Sequence, residues 1–308
     1  MTEHFAAFSF VDRITEFIDG SRARGFFWVP EGISVFPSCL AAEAVGQLAA
    51  WVAMSKLDFR GRPVAALATE TRFLGVALPG DVLELAVEIE DCNDNMVVYG
   101  GSAFVEGRQV IELEHCLGPM LPVEDFDAPD GLRERLSLLR DRGALRGRFP
   151  GVDLPETVVI EHVPGKSLRA TLNVPREAPF FADHFPRNPV FPATLLLDAQ
   201  IRGAAELVEK SCGPQFASPV ASRMTHFKMR AFITPGQEVE LEATLSGQDA
   251  LAARVMLRAK VAGKSVDFKI YDGAGHAFMN PNNTGGYVEA AAKDAWARID
   301  AFFVHHLY

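Results

Sequence analysis

Two titratable residues stand in surroundings that suit them to proton transfer. His184 lies in FFADHFPRNPVFPATLLLDAQ (180–200), fourteen residues before Asp198. Glu43 lies in SCLAAEAVGQLAAWVAM (38–54), with Gln47 four residues further on. On a helix, positions 43 and 47 share one face, so the amide can orient the carboxyl group by a hydrogen bond. The neighbours Leu40, Ala42 and Ala44 offer no polar face. A carboxylate buried there is costly unless it is paired or protonated, and burial turns it into a proton donor near neutrality. An imidazole and such a carboxyl group are the partners that general acid–base catalysis needs. The plainer alternatives are a structural histidine bonded to a loop carbonyl and a glutamate that snorkels to solvent.

The chain repeats itself, which decides what must position these groups. VFPSCLAAEAVGQ (35–47) answers VFPATLLLDAQIR (190–202) at an offset of 155. TRFLGVALPGD (71–81) answers FKMRAFITPGQ (227–237), and FVEGRQV (104–110) answers KVAGKSV (260–266), both at an offset of 156. Blocks matched in one order with a single one-residue slip mark a duplication. Each copy opens a nearly uncharged, Pro-started segment of helical periodicity. Period-two runs follow, such as VLELAVEIED and RQVIELEHC, broken at Gly or Pro-Gly as antiparallel strands are. One buried helix wrapped by an antiparallel sheet is an α+β arrangement. Two such units can pair their sheets edge to edge and cover each other's open edges.

The organisation expected is repeat 1 over 1–121, a linker over 122–152, repeat 2 over 153–272 and a helical tail over 273–308. The linker should hold a short helix around 131–142. Its six arginines, from Arg133 to Arg148, suit either a solvated connection or a docking patch for an acidic carrier protein or a phosphate-bearing cofactor. At 308 residues the chain has room for two compact domains. A net charge of −10 argues against a nucleic-acid surface. The four cysteines lie far apart and the eight histidines show no H-x-x-x-H or H-E-x-x-H spacing, so neither a disulfide framework nor a metal site is expected. His305 and His306 are adjacent near the chain end and define no site. The opening MTEHFAAFSFVDR lacks the basic and apolar regions of a secretory signal, and no stretch is apolar enough to span a bilayer. A cytoplasmic protein without membrane contact is the expectation.

The 180–200 segment resembles the signature of the β-hydroxyacyl-acyl-carrier-protein dehydratases of fatty-acid synthesis. There a His-Phe-x-x-x-Pro-Val-x-Pro run leads into a central helix carrying an Asp or Glu. FVDRITEF (10–17) is similar to the opening of the first strand in that family. The resemblance implies a double hot-dog, an intrachain pseudo-dimer in which two sheets each wrap a central helix. It also implies a catalytic pair split between units, histidine from one and acid from the other. An offset of 155 carries His184 onto Val29, so repeat 1 has lost its histidine yet keeps Glu43 and Gln47. Repeat 2 keeps Asp198 but has Arg202 in place of the glutamine. One composite site, His184 with Glu43 and Gln47, survives whole. The other, Val29 with Asp198, should be inactive, and Glu43 is preferred over Asp198 as the acid.

The resemblance then implies syn elimination of water from a 3-hydroxyacyl thioester to a 2-enoyl thioester, with His184 as base and Glu43 as acid. The first helix turn of repeat 1, Ser38 and Cys39, would supply N–H groups to the carbonyl oxygen, and Pro192 joins the substrate-binding set. No resident cofactor is needed, because the substrate carries its own phosphopantetheine on acyl-carrier protein or coenzyme A. Two such chains, as a homodimer, would mimic a tetramer. Ser38 and Arg187 stand where the family usually has glycine, which marks divergence. Two rivals remain: a hot-dog thioesterase using Asp198 or Glu43 to direct water, and a non-catalytic acyl-binding pseudo-dimer. The tail KIYDGAGHAFMNPNN (269–283) and the residues after it look like the end of a dienelactone hydrolase, whose triad histidine would be His276. No G-x-[SC]-x-G elbow accompanies it, so His276 is read as an orphan. The tail helix, about 286–304, is expected to pack Val288, Ala292, Trp296, Ile299 and Phe303 inward.

Overall fold

The computed structural model describes residues 5–213, 216, 218–262, 279, 281 and 287–307, with side chains as far as 298. The chain divides into two compact units, Met1–Ala262 and Gly263–Tyr308. The first unit holds repeat 1 and repeat 2 as far as Ala262, ten residues short of the boundary expected for repeat 2.

Repeat 1 contributes β1 (Arg13–Ile18), β2 (Arg22–Trp28), α1 (Ser38–Lys56), β3 (Gly61–Pro63), β4 (Leu67–Phe73), β5 (Val82–Cys92), β6 (Met96–Val105) and β7 (Arg108–Pro122). A connecting helix α2 (Pro129–Asp141) follows. Repeat 2 contributes β8 (Thr157–Val163), β9 (Ser167–Asn173), α3 (Ala193–Ser211), β10 (Arg223–Lys228), β11 (Glu238–Gln248) and β12 (Ala253–Val261). One sheet runs β1-β2-β5-β6-β7-β4-β10, with β3 pairing β7, and the other runs β12-β11-β9-β8. The order β1-β2-β5-β6 recurs as β8-β9-β11-β12, so the duplication read in the sequence is a duplication of topology. This is a double hot-dog of the α+β class.

The repeats join through equivalent strands. β10 pairs antiparallel with β4, and the pairs Arg223↔Arg72 and Lys228↔Leu67 exchange under the 156-residue offset. Such self-complementary pairing is what a twofold interface produces, here within one chain. Glu70 is buried at this seam and accepts from Arg72 Nε at 2.6 Å and from Arg223.

Between its ends α1 carries only Glu43 and Gln47 as polar side chains, and Leu40, Ala44, Val45, Leu48, Ala49, Val52, Ala53 and Met54 are wholly buried. It lies against β5 and β6 of its own sheet and against α3 of the other repeat. Gly101 on β6 permits the closest approach, since a Cβ there would stand 2.6 Å from Val45 and 2.7 Å from the Ala86 carbonyl. α3 packs on β9, β11 and β12 in the same way.

The connection between repeats is not a solvated linker. Leu132, Leu136 and Leu139, spaced as one apolar stripe, are buried with Phe149 in the common core. Its arginines are put to use as well: Arg135 is itself buried, Arg140 stacks 4.9 Å over Phe17, and Arg146 stacks 3.9 Å over Trp28.

In the second unit, α4 spans Glu289–Leu307. Its buried stripe runs along Ala291, Ala292 and Ala295, whereas Val288 and Trp296 are exposed, contrary to the expected inward packing. His276 and the side chains of Ile299, Phe303, His305 and His306 lie outside the described residues.

Candidate active site

A cavity of about 450 Å³ lies where α1 meets the start of α3, walled by both repeats. Glu43, Gln47, Arg62 and Tyr99 line it from repeat 1; His184, Phe185, Thr194 and Met224 line it from repeat 2.

His184 is held from several sides. The short 3-10 turn Pro179–Ala182 precedes it, and its amide donates to the Phe180 carbonyl at 2.9 Å. Its peptide bond to Phe185 is cis. Its Nδ1 lies 2.8 Å from the Val190 carbonyl, while its own carbonyl accepts from Val190 N at 3.1 Å. A carbonyl can only accept, so Nδ1 bears the hydrogen and Nε2 carries the lone pair. The ring stacks on Phe185 at 4.5 Å and meets the edge of Phe8 at 5.6 Å. Burial lowers the His184 pKa below the ordinary imidazole value, against the opposing pull of Glu43. The imidazole is therefore neutral at pH 7, with a free acceptor nitrogen.

Glu43 faces the same cavity from α1. Oε1 accepts from Gln47 Nε2 at 3.1 Å, as the i,i+4 spacing implies. Oε2 accepts from Thr194 Oγ1 at 2.9 Å, across the seam from the first turn of α3. Gln47 is itself fixed, accepting from Phe10 N at 2.8 Å and donating to the Phe8 carbonyl at 2.9 Å. Arg62, on β3, lies 4.9 Å over the Phe185 ring and 3.2 Å from Asp127, which brings a guanidinium to the wall beside the pair. Beyond these groups the lining is largely apolar, with the Tyr99 hydroxyl and Cys116 as a polar pair in contact. Among the described residues no group of three metal-binding side chains occurs.

The helix N-terminus at this cavity is not the one expected. Ala193 and Thr194 of α3 line it; Ser38 and Cys39 of α1 do not. The pseudo-twofold axis explains the exchange: each helix start faces the acid of the other repeat. Thr194 meets Glu43, and its equivalent Cys39 sits beside Asp198, whose charge adds to burial in raising the Cys39 pKa. Pro192 caps α3, its carbonyl accepting from Leu195 and Leu196 at 3.1 Å, while its neighbours Phe191 and Ala193 form the wall. The sequence offset of 155 does not hold between strand and helix: Val29 follows β2 and its amide donates to the Asp81 carbonyl at 2.9 Å, as Val174 N, directly after β9, donates to the Gln237 carbonyl at 2.9 Å, so Val174 and not His184 is its counterpart. Asp198 is bound by Arg202 Nε at 2.9 Å, and Arg202 also donates to the Pro155 carbonyl at 3.2 Å.

Thr194, Arg62, Asp183 and Tyr99 were not singled out from the sequence. Thr194 carried a usable signal, because it stands four residues before Asp198 as Cys39 does before Glu43.

Comparison with known proteins agrees with this architecture. The family model described as ApeI dehydratase matches residues 161–273, and the FabA-like domain model matches 31–114. The 3-hydroxyacyl-[acyl-carrier-protein] dehydratase FabZ of Rickettsia bellii is 34% identical over 118 residues, covering 38% of this chain and 80% of that protein. That of Caldicellulosiruptor saccharolyticus is 34% identical over 122 residues, covering 87% of that protein. The chain belongs to the FabZ dehydratase family. Among solved structures, an acyl-ACP thioesterase from Bacteroides thetaiotaomicron aligns at TM-score 0.47 and 9% identity, over 79% of this chain and 93% of that one. This FabZ-family chain carries two repeats, and its C-terminal residues 245–307 match the dienelactone hydrolase family model.

Proposed function

We propose that this chain is a 3-hydroxyacyl-thioester dehydratase with one composite active site, His184 acting as base and Glu43 as acid. The observation that carries this reading is the imidazole whose Nδ1–H is committed to the Val190 carbonyl, facing a carboxyl group of the other repeat across one cavity.

His184 Nε2 takes the proton from the carbon beside the thioester carbonyl. The C–O bond at the next carbon breaks as the Glu43 carboxyl group gives its proton to the departing hydroxyl. The carbon–carbon double bond forms and water leaves, on the face shared by both groups. Hydration reverses each step and restores both protonation states. Thr194 suits both states of Glu43, because a hydroxyl donates to a carboxylate and accepts from a carboxylic acid. Negative charge builds on the thioester oxygen, and the N–H groups of Ala193 and Thr194, which precede the first intrahelical bonds of α3, suit that role. The acyl chain then occupies the apolar remainder of the cavity. A phosphopantetheine thioester, on acyl-carrier protein or coenzyme A, is the proposed substrate class; no resident cofactor takes part.

The test offers the purified chain a 2-enoyl thioester and a saturated acyl thioester of equal length. Reversible hydration of the first, abolished by His184→Ala, is the expected result. Thiol release from both, without hydration, would make the chain a thioesterase instead.

A further inference from the structure

We infer that Asp183 is a positioning residue, clamping the N-terminal segment Phe5–Phe10 across the seam so that both halves of the site are held in register. The inference rests on the dehydratase reading for its kinetic consequence, but not for the clamp itself.

Asp183 precedes His184 and is buried. One carboxyl oxygen accepts from Phe8 N at 2.8 Å and from Ser9 Oγ at 3.1 Å; the other accepts from Phe5 N. A buried carboxylate needs such donors and a counter-charge. The counter-charge comes from the connecting helix: Arg135 is buried, interacts electrostatically with Asp183, and lies 5.2 Å over the Phe5 ring.

The segment so held reaches the other half of the site directly. Phe10 N and the Phe8 carbonyl occupy the Gln47 amide, which in turn donates to Glu43. The Phe8 ring meets the His184 ring edge-on. One strap of six residues thus orients the imidazole and, through Gln47, the carboxyl group.

In the other repeat the counterpart of Gln47 is Arg202, which binds Asp198 and the Pro155 carbonyl instead.

Two readouts on the full chain test this, each comparing wild type with Asp183→Asn and the milder Ser9→Ala. Asparagine keeps the shape but faces the strap amides with an uncharged group that accepts through one oxygen only. In hydrogen exchange, amides 5–10 should be protected in the wild type and lose that protection in Asp183→Asn, with a smaller loss in Ser9→Ala. In 2-enoyl thioester hydration, kcat should fall roughly 10-fold to 100-fold in Asp183→Asn with KM nearly unchanged, because misplacement costs turnover and not binding. If Asp183→Asn does not fold, Ser9→Ala decides by the same two readouts. Unchanged protection overturns the clamp whether or not the wild type hydrates enoyl thioesters. Unchanged kcat, or a loss confined to KM, overturns its role in an active enzyme. A wild type that hydrates nothing refutes the dehydratase reading and leaves the exchange result to judge the clamp.

Discussion

Thr194, at the start of one repeat's helix, donates a 2.9 Å hydrogen bond to Glu43 inside the helix of the other repeat. The bond crosses the seam and ties the acid to the element that carries the histidine loop. Thr194→Val keeps the shape and removes the donor. Hydrogen bonds to charged groups contribute about 1.5–3 kcal/mol to stability, so Thr194→Val should lower stability by up to about that amount, and kcat should fall as Glu43 loses its orientation across the seam. Steady-state kinetics beside a melting curve separate the two effects.

The pH dependence follows from the burial of His184. A base must be neutral, and burial holds this imidazole below its ordinary value of 6.5. Activity should therefore persist below pH 6.5 and fall only as the pH drops through the lowered pKa. Glu43 pulls that pKa upward, so Glu43→Gln should shift the imidazole midpoint further down, as followed by proton NMR of the ring. An upward shift would contradict the arrangement.

Asp12 offers a stability test away from the chemistry. Burial raises its pKa from 3.8 to about 6, against the hydrogen bond from Trp28 N and nearby arginines. A raised folded pKa means that the folded state favours the proton. Its contribution is full below pH 3.8 and is lost as pH rises through about 6. Two pKa units correspond to about 3 kcal/mol. Asp12→Asn, which keeps an acceptor for Trp28 N, should gain stability relative to wild type as pH rises from about 4 to 7. Chemical denaturation at several pH values reads this, and a flat difference would refute it.

The second acid should be silent. Asp198 is bound by Arg202, and among the described residues no imidazole hydrogen-bonds to it. Asp198→Asn should leave kcat/KM within about twofold, since a residue outside the reacting pair contributes no transition-state stabilisation. A loss comparable to that of Glu43→Gln would mean that the acids had been assigned the wrong way round.

Much of this was legible in the sequence because duplication leaves marks that survive divergence. The offset of 155 aligned Glu43 with Asp198 and Gln47 with Arg202, but the stretch between β9 and α3 is longer than that between β2 and α1, so Val29 matches Val174 and not His184. The near-absence of charge in 38–54 foretold the buried helix. The choice of helix N-terminus was not legible: Ser38 and Cys39 belong to the acid's own helix, but the pseudo-twofold axis brings Ala193 and Thr194 to Glu43 instead. That depends on how two helices cross, which spacing along one chain does not encode. The connecting segment misled through its arginines, several of which lie on aromatic rings while its leucines enter the core. Asp183 escaped notice because its donors, the Phe5 and Phe8 amides and the Ser9 hydroxyl, lie about 175 residues away, and backbone amides leave no residue-specific signal.

The most direct test of the composite site is a double-mutant cycle on water elimination from a 3-hydroxyacyl thioester, using wild type, His184→Ala, Glu43→Ala and the double variant. Groups acting on one bond-breaking event are strongly non-additive. Each single variant should lose roughly 10²–10⁴-fold in kcat, and the double variant should be little worse than either. Losses that multiply in the double variant, or a single variant with wild-type activity, would contradict an active site assembled from the two repeats.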